Sequence, residues 1–193
     1  MEYKVIIGIV AALIALIGYV PYIKNIFSGK TKPHAFSWLI WSLITFISFA
    51  AQVSDFAGPG AFATLIFAFA CFLIFVFALW KGERNIIFID WVLLGCALFS
   101  LFLWYITQSP FLSIILIVLT DFFGFLPTIR KSYSKPFEET LSTYVLSGAA
   151  HAISLLALTH YSVITALYPA SLVLTNSIFV LMVMWRRKML MIH

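Results

Sequence analysis

The 193-residue chain is 63% hydrophobic and 18% aromatic, with only 10% charged residues, and its mean hydropathy is +1.07; soluble domains carry about 25% charged residues. That composition excludes a soluble globule and a disordered tail, and two cysteines, Cys71 and Cys96, both inside apolar runs, exclude a disulfide scaffold. A net charge of +5 does not indicate a nucleic-acid partner, because the lysines and arginines fall in short breaks between apolar runs instead of on one polar face.

A bilayer core about 30 Å thick needs about 20 mostly apolar residues as helix. Seven runs meet that need: Val5 to Ile26, Ala35 to Gln52, Gly60 to Trp80, Ile86 to Ile106, Phe111 to Ile129, Thr140 to Leu158 and Ser162 to Trp185. Runs of this length joined by short connections predict an all-α integral membrane protein of seven transmembrane helices; a barrel would show ten-residue segments of alternating polarity. The first run follows a short polar start, as a signal peptide does. Glu2 is acidic, however, the run is long, and it ends in Gly18-Tyr19-Val20-Pro21 with no cleavage pattern, so a retained helix is expected.

Lysines and arginines sort by side. Lys24, Lys30, Lys32, Lys81, Arg84, Arg130, Lys131, Lys135, Arg186, Arg187 and Lys188 follow the odd-numbered runs, whereas Lys4 alone lies on the other side. The bias predicts an outside amino terminus, a cytoplasmic carboxyl terminus and an odd number of spans, in the plasma membrane. Trp80, Trp104 and Trp185 near span ends fit an interfacial belt.

Sliding the chain by 106 residues brings GYVPYIK at Gly18 to Lys24 onto GFLPTIR at Gly124 to Arg130. The same offset pairs Ser37 with Thr143, Trp38 with Tyr144 and Ser48 with Ser154. Lys32-Pro33 matches Lys135-Pro136 at an offset of 103, which implies a loop of different length. The expected architecture is two parallel three-helix repeats joined by a linker helix: residues 1–82, the linker 83–107, and residues 108–193 with a basic cytoplasmic tail.

With a proline near the cytoplasmic end of the first helix of each triplet, the layout resembles the PQ-loop superfamily, which includes the SWEET sugar transporters. The proline-glutamine pair stands here as Pro21-Tyr22 and Pro127-Thr128, so the glutamine is absent twice. The resemblance implies hinges at Pro21, Pro33, Pro127 and Pro136 and a solute site between the triplets; Pro33 and Pro136 sit at the loop edges of their helices, where a first-turn proline is ordinary.

Polar side chains inside the spans need protein or water around them. In the second run Trp38, Trp41, Thr45, Ser48 and Gln52 recur at steps of three and four, and in the sixth Tyr144, Ser147, His151 and Ser154 do the same. Two equivalent stripes suit a duplicated cavity wall; helix packing through small and hydroxyl residues is the other reading. Asp121 lies in the fifth run, opposite Ala15 in the repeat, and reads either as a proton or cation site, with His151 as titrating partner, or as a structural bond to a neighbouring helix. Asn176 in the seventh run carries donors and an acceptor suited to a hydroxyl-rich solute. Asp90 is expected to snorkel toward Lys81 and Arg84, and Glu138 and Glu139 to pair with Arg130, Lys131 or Lys135.

These residues predict a carrier for a small polar organic solute working by alternating access, proton-coupled through Asp121 and His151. A sugar is the first class expected from the resemblance, an amino acid or vitamin-like compound the second. Trp38, Trp41, Thr45, Tyr144, Ser147, His151 and Asn176 are the expected binding residues. The expected partners are the solute and the bilayer, with no cofactor, metal or nucleic acid. A heptahelical receptor binding its ligand without transport is the alternative, with the basic loop or tail clusters as its capture surface. No phosphate loop, zinc spacing or nucleophile elbow favours an enzyme.

Overall fold

The computed structural model describes residues 2–107 and 110–192. Seven helices account for nearly all of them: α1 (Glu2–Phe27), α2 (Ala35–Ser54), α3 (Phe62–Lys81), α4 (Phe88–Thr107), α5 (Pro110–Ser134), α6 (Leu141–Leu156) and α7 (Val163–Ile192). The described residues form no strand. Each expected run coincides with a helix. Four segments, Glu2–Phe27, Ala35–Ser54, Gly58–Lys81 and Val163–Met191, are long and apolar enough to cross a membrane, and Phe88–Leu103 and Leu141–Leu156 are shorter apolar helices. This fits a membrane protein.

Breaks between helices follow local chemistry. After α1, Gly29 takes φ 73°, and Pro33 then disfavours helix at the residue before it, so α2 starts only at Ala35. After α5, Lys135-Pro136 opens a single 3-10 turn before α6. Pro33 and Pro136 therefore lie outside the helices, whereas Pro21 and Pro127 lie inside α1 and α5, where each removes one backbone donor and frees the carbonyl of Ile17 or Phe123.

The exterior is apolar and the interior carries the polar groups. Leu13, Phe69, Phe72, Phe99, Leu174 and Leu181 face outward, while Ser37, Thr45, Ser48, Gln52, Thr64, Asp121 and His151 are buried. Lipid tails are as apolar as leucine, so burial of hydrocarbon does not drive the helices together; close packing and interhelical bonds do. Trp80 is exposed at the end of α3, and Trp185 is exposed two turns before the end of α7; the side chain of Trp104 lies outside the described residues.

Helix packing has a reciprocal pattern. α3 packs on both α1 and α2, and α7 packs on both α5 and α6, while α1 meets α6 and α2 meets α5. A Cβ on Gly18 would come within 3.0 Å of Leu146 Cβ in α6, and one on Gly124 within 2.7 Å of Ile40 Cγ2 in α2. Leu146 and Ile40 are themselves 106 residues apart, the same spacing as the glycines. Each glycine is needed where two helices approach too closely for a side chain.

The end of the bundle bearing most lysines and arginines is closed by ion pairs. Arg130 holds Asp90 with two bonds, Nη2 to Oδ2 at 2.6 Å and Nε to Oδ1 at 3.1 Å, and the N–H of Ile87 donates to the same carboxylate. Asp90 is fully buried, so it does not snorkel toward Lys81 or Arg84 as expected; a bidentate guanidinium and a backbone N–H compensate its charge where it lies. Lys131 pairs with Glu139 and also donates to the carbonyls of Lys32 (2.8 Å) and Glu138 (3.1 Å), while Lys32 pairs with Glu138 at 3.0 Å. The expected pairing of Glu139 is thus met by Lys131, whereas the Glu138 carboxylate pairs with Lys32 and not with Arg130, Lys131 or Lys135.

Glu83 completes this layer. Burial pushes its carboxyl up, but the N–H of Asn85, the Lys135 ammonium at 3.0 Å and the N–H of Arg84 outweigh burial and hold it lowered, at about 2. Burial holds the His34 imidazole below its usual range against the pull of Asp90, whose Oδ2 lies 3.4 Å from Nε2. The basic tail is not a free segment: α7 continues through it, Arg187 donates to the carbonyls of Pro136 and Glu139, and Arg186 stacks on Tyr133 at 4.2 Å.

At the opposite end Lys4 donates to the Leu158 carbonyl at 2.6 Å and Thr159 to the Phe56 carbonyl at 2.6 Å, and Asp55 accepts from Ser162. Among the described residues, the loops there carry no comparable set of buried charges.

Candidate solute site

Between the two ends lies a central cavity. The space open to the centre of a water-sized sphere is about 50 Å³, enough for a few waters, since one needs about 10–15 Å³ on this measure. Its wall takes Tyr19 from α1, Trp38, Trp41 and Thr45 from α2, Phe67 and Cys71 from α3, Asp121 and Phe125 from α5, Thr143, Tyr144, Ser147 and His151 from α6, and Tyr168, Leu172, Thr175 and Asn176 from α7. None of the lining residues belongs to α4.

All seven residues expected to bind solute, and Asp121 with them, share this wall. The two stripes arrive there for a geometrical reason: steps of three and four keep a residue on one helical face, and α2 and α6 turn those faces inward. Only part of each stripe lines the cavity. Ser48 and Gln52 continue the α2 face beyond it, buried and without hydrogen-bond partners among the described residues, and Thr64 of α3 is in the same state. Ser154 instead donates to the carbonyl of His151 in its own helix at 2.8 Å.

Aromatic rings set the shape of the wall. Trp38 lies 5.0 Å, ring to ring, from both Trp41 and Tyr22, and 6.2 Å from Tyr19. Phe125 lies 5.1 Å from Trp41, and His151 stacks on Phe67 at 4.2 Å. Tyr19 and Phe125 occupy equivalent places two residues before Pro21 and Pro127. Tyr19, Phe67, Phe125 and Tyr168 were not among the expected site residues; Tyr19 and Phe125 coincide at the 106 offset, whereas Phe67 and Tyr168 stand in apolar runs that give no such cue.

Several polar atoms on the wall have no partner. Trp38 Nε1, Asp121 Oδ1, Tyr144 OH and His151 Nδ1 are buried and meet no hydrogen-bond partner among the described residues. Orphaned buried groups of this kind are rare in ordinary packing, where more than nine in ten polar groups are satisfied. Other wall residues are spent internally: Asn176 donates to the Leu172 carbonyl at 2.7 Å, and Thr45 to the carbonyl of Trp41. Asp121 and His151 share the cavity, yet no ion pair joins them among the described residues.

The cavity abuts the ion-paired layer directly. Tyr144 is on its wall, Tyr22 packs against Trp38 and Tyr144, and the Glu139 carboxyl interacts electrostatically with both tyrosine hydroxyls.

No family model, curated protein or solved structure matches this chain.

Proposed function

We propose that the chain is a membrane carrier that moves a small polar organic solute by alternating access. In this reading seven spans form two parallel three-helix repeats, 1–82 and 108–193, around the linker 83–107, with the amino terminus outside and the carboxyl terminus in the cytoplasm. The observation that carries it is the wall of the cavity. Tyr19 and Phe125, Trp38 and Tyr144, Trp41 and Ser147, and Thr45 and His151 are pairs at one constant spacing, and both members of every pair line the same space. The reciprocal contacts of Gly18 with Leu146 and Gly124 with Ile40 support the same pseudo-twofold relation.

A cavity at such a centre can face either side when one half rocks against the other. Pro21 and Pro127, one turn from the wall, relieve α1 and α5 of a backbone bond and let them bend. The ion-paired layer is the closed gate toward the cytoplasm, and the column of Gln52, Ser48 and Thr64 is the polar route toward the outside. Asp121 couples a proton. The resemblance to PQ-loop and SWEET proteins makes sugars the first solutes to try, with amino acids and vitamin-like compounds next.

Purified protein in sealed liposomes is expected to take up at least one solute from a labelled panel of those classes, at five-fold or more above protein-free liposomes, and to show counterflow against the unlabelled solute. Saturable binding without flux favours a receptor, and silence across the panel removes the carrier.

A further inference from the structure

The cavity wall carries one carboxylate and no lysine or arginine. Asp121 is 2% exposed, and among the described residues its Oδ1 has no hydrogen-bond partner and its carboxylate makes no ion pair. An ionised carboxylate at that depth is costly, so it is neutralised either by a proton or by a cation in the site. The aromatic rings Trp38, Trp41, Tyr144 and Tyr168 line the space, and the face of such a ring attracts a cation. Once the proton has left, a neutral sugar would not compensate the carboxylate, and an acid would add a second negative charge.

We infer that the transported solute is a small organic monocation, and that it exchanges with a proton at Asp121. This rests on the carrier reading and narrows it. One carboxylate can hold one positive charge, either the proton or the ammonium group of the solute, so the two occupy the site by turns. Each crossing then moves a neutral site, and a full cycle carries one cation one way and one proton the other.

The groups that can bear on Asp121 do not alter this count. α1 brings Tyr19, α3 Cys71, α6 Tyr144 and His151, and α7 Tyr168, while α2 brings no titratable group to the wall. α4, packed against α5, carries Asp90, already held by Arg130, together with Cys96 and Tyr105. His151 makes no ion pair with Asp121 among the described residues and stacks on Phe67 instead.

The test uses the full chain in liposomes with trapped pyranine, an acidic interior and four labelled probes: choline, tetramethylammonium, glucose and alanine. Quaternary ammonium ions carry no exchangeable proton of their own, so any proton they displace passes through the protein. The outward proton gradient is expected to speed choline or tetramethylammonium uptake ten-fold or more and to alkalinise the interior, with Asp121→Asn losing both effects and Asp121→Glu keeping exchange. In the unaltered protein, at equal pH on both sides, falling pH is expected to raise the concentration of choline needed for half-maximal uptake, because the proton competes for the same oxygen. Uptake of glucose or alanine without either cation overturns the inference and leaves the carrier standing, as does choline uptake indifferent to the proton gradient and to pH. Silence from all four probes overturns the inference, whereas the carrier falls only with silence across the wider panel.

Discussion

Replacing Glu139 with leucine is expected to lower the melting temperature of the detergent-solubilised protein by roughly 6–12 °C, because Lys131 would remain buried without its counter-ion. Both side chains are almost fully enclosed, at 2% and 1% exposure. Removing one partner of a buried pair costs about 3–5 kcal/mol; the carbonyls of Lys32 and Glu138 still accept from Lys131, which places the loss near about 3 kcal/mol. A chain of this size shifts about 2–4 °C for each kcal/mol. The double substitution Lys131→Met with Glu139→Leu removes both charges and is expected to recover most of the loss, since apolar replacements of a buried pair are often neutral or stabilising. A thermal-unfolding double-mutant cycle measures this. Equal melting temperatures for the single and double variants would contradict the pairing. If the pair closes the cavity floor as proposed, the double variant is also expected to favour the state open toward the basic end.

Trp38→Ala is expected to be as damaging, and Trp38→Phe to separate two roles of the same side chain. Trp38 is buried to 2% at the meeting point of Tyr19, Tyr22 and Trp41. Truncating such a ring to alanine costs about 3–5 kcal/mol of packing. Phenylalanine keeps most of the ring contacts and removes an N–H that has no hydrogen-bond partner among the described residues. An unsatisfied buried donor costs about 1–3 kcal/mol, so the two effects of Trp38→Phe nearly offset in stability. If Nε1 serves the solute, transport falls about ten-fold in Trp38→Phe while the melting temperature stays within a few degrees. A folded Trp38→Phe protein with unchanged transport would show that the ring shapes the cavity and its nitrogen does nothing for the solute.

Much of this was legible in the residues because lipid enforces simple rules. Seven apolar runs became seven helices, since a chain in hydrocarbon must satisfy its own backbone. The wall residues of α2 and α6 stood out because Trp38, Trp41, Thr45, Tyr144, Ser147 and His151 interrupt apolar helices at helical spacing. Phe67 and Tyr168 did not, since an aromatic ring is equally at home against lipid, in packing or on a cavity, and only the fold separates these places. The charged layer was legible as a set of charges and not as pairs. Asp90 and Arg130 are far apart along the chain and meet because α4 packs on α5. The continuation of α7 through Arg186 and Arg187 was hidden for a similar reason: a basic segment past an apolar run looks like a solvated tail until the carbonyls of Pro136 and Glu139 supply it with acceptors.

The expected stability effects and the proposed transport effects meet at one place, the central cavity and the ion-paired layer beside it. The cavity's two-sidedness is the central claim. Ser147 lines the cavity, and Ser147→Cys is a near-isosteric change; with Cys71 and Cys96 replaced by alanine, it is the one thiol in the protein. A membrane-impermeant cationic thiol reagent, added outside oriented liposomes or trapped within them, reports which side reaches that position. Alternating access predicts modification from both sides, slowed in each case by the transported solute. Modification from one side alone, or from neither, would contradict it.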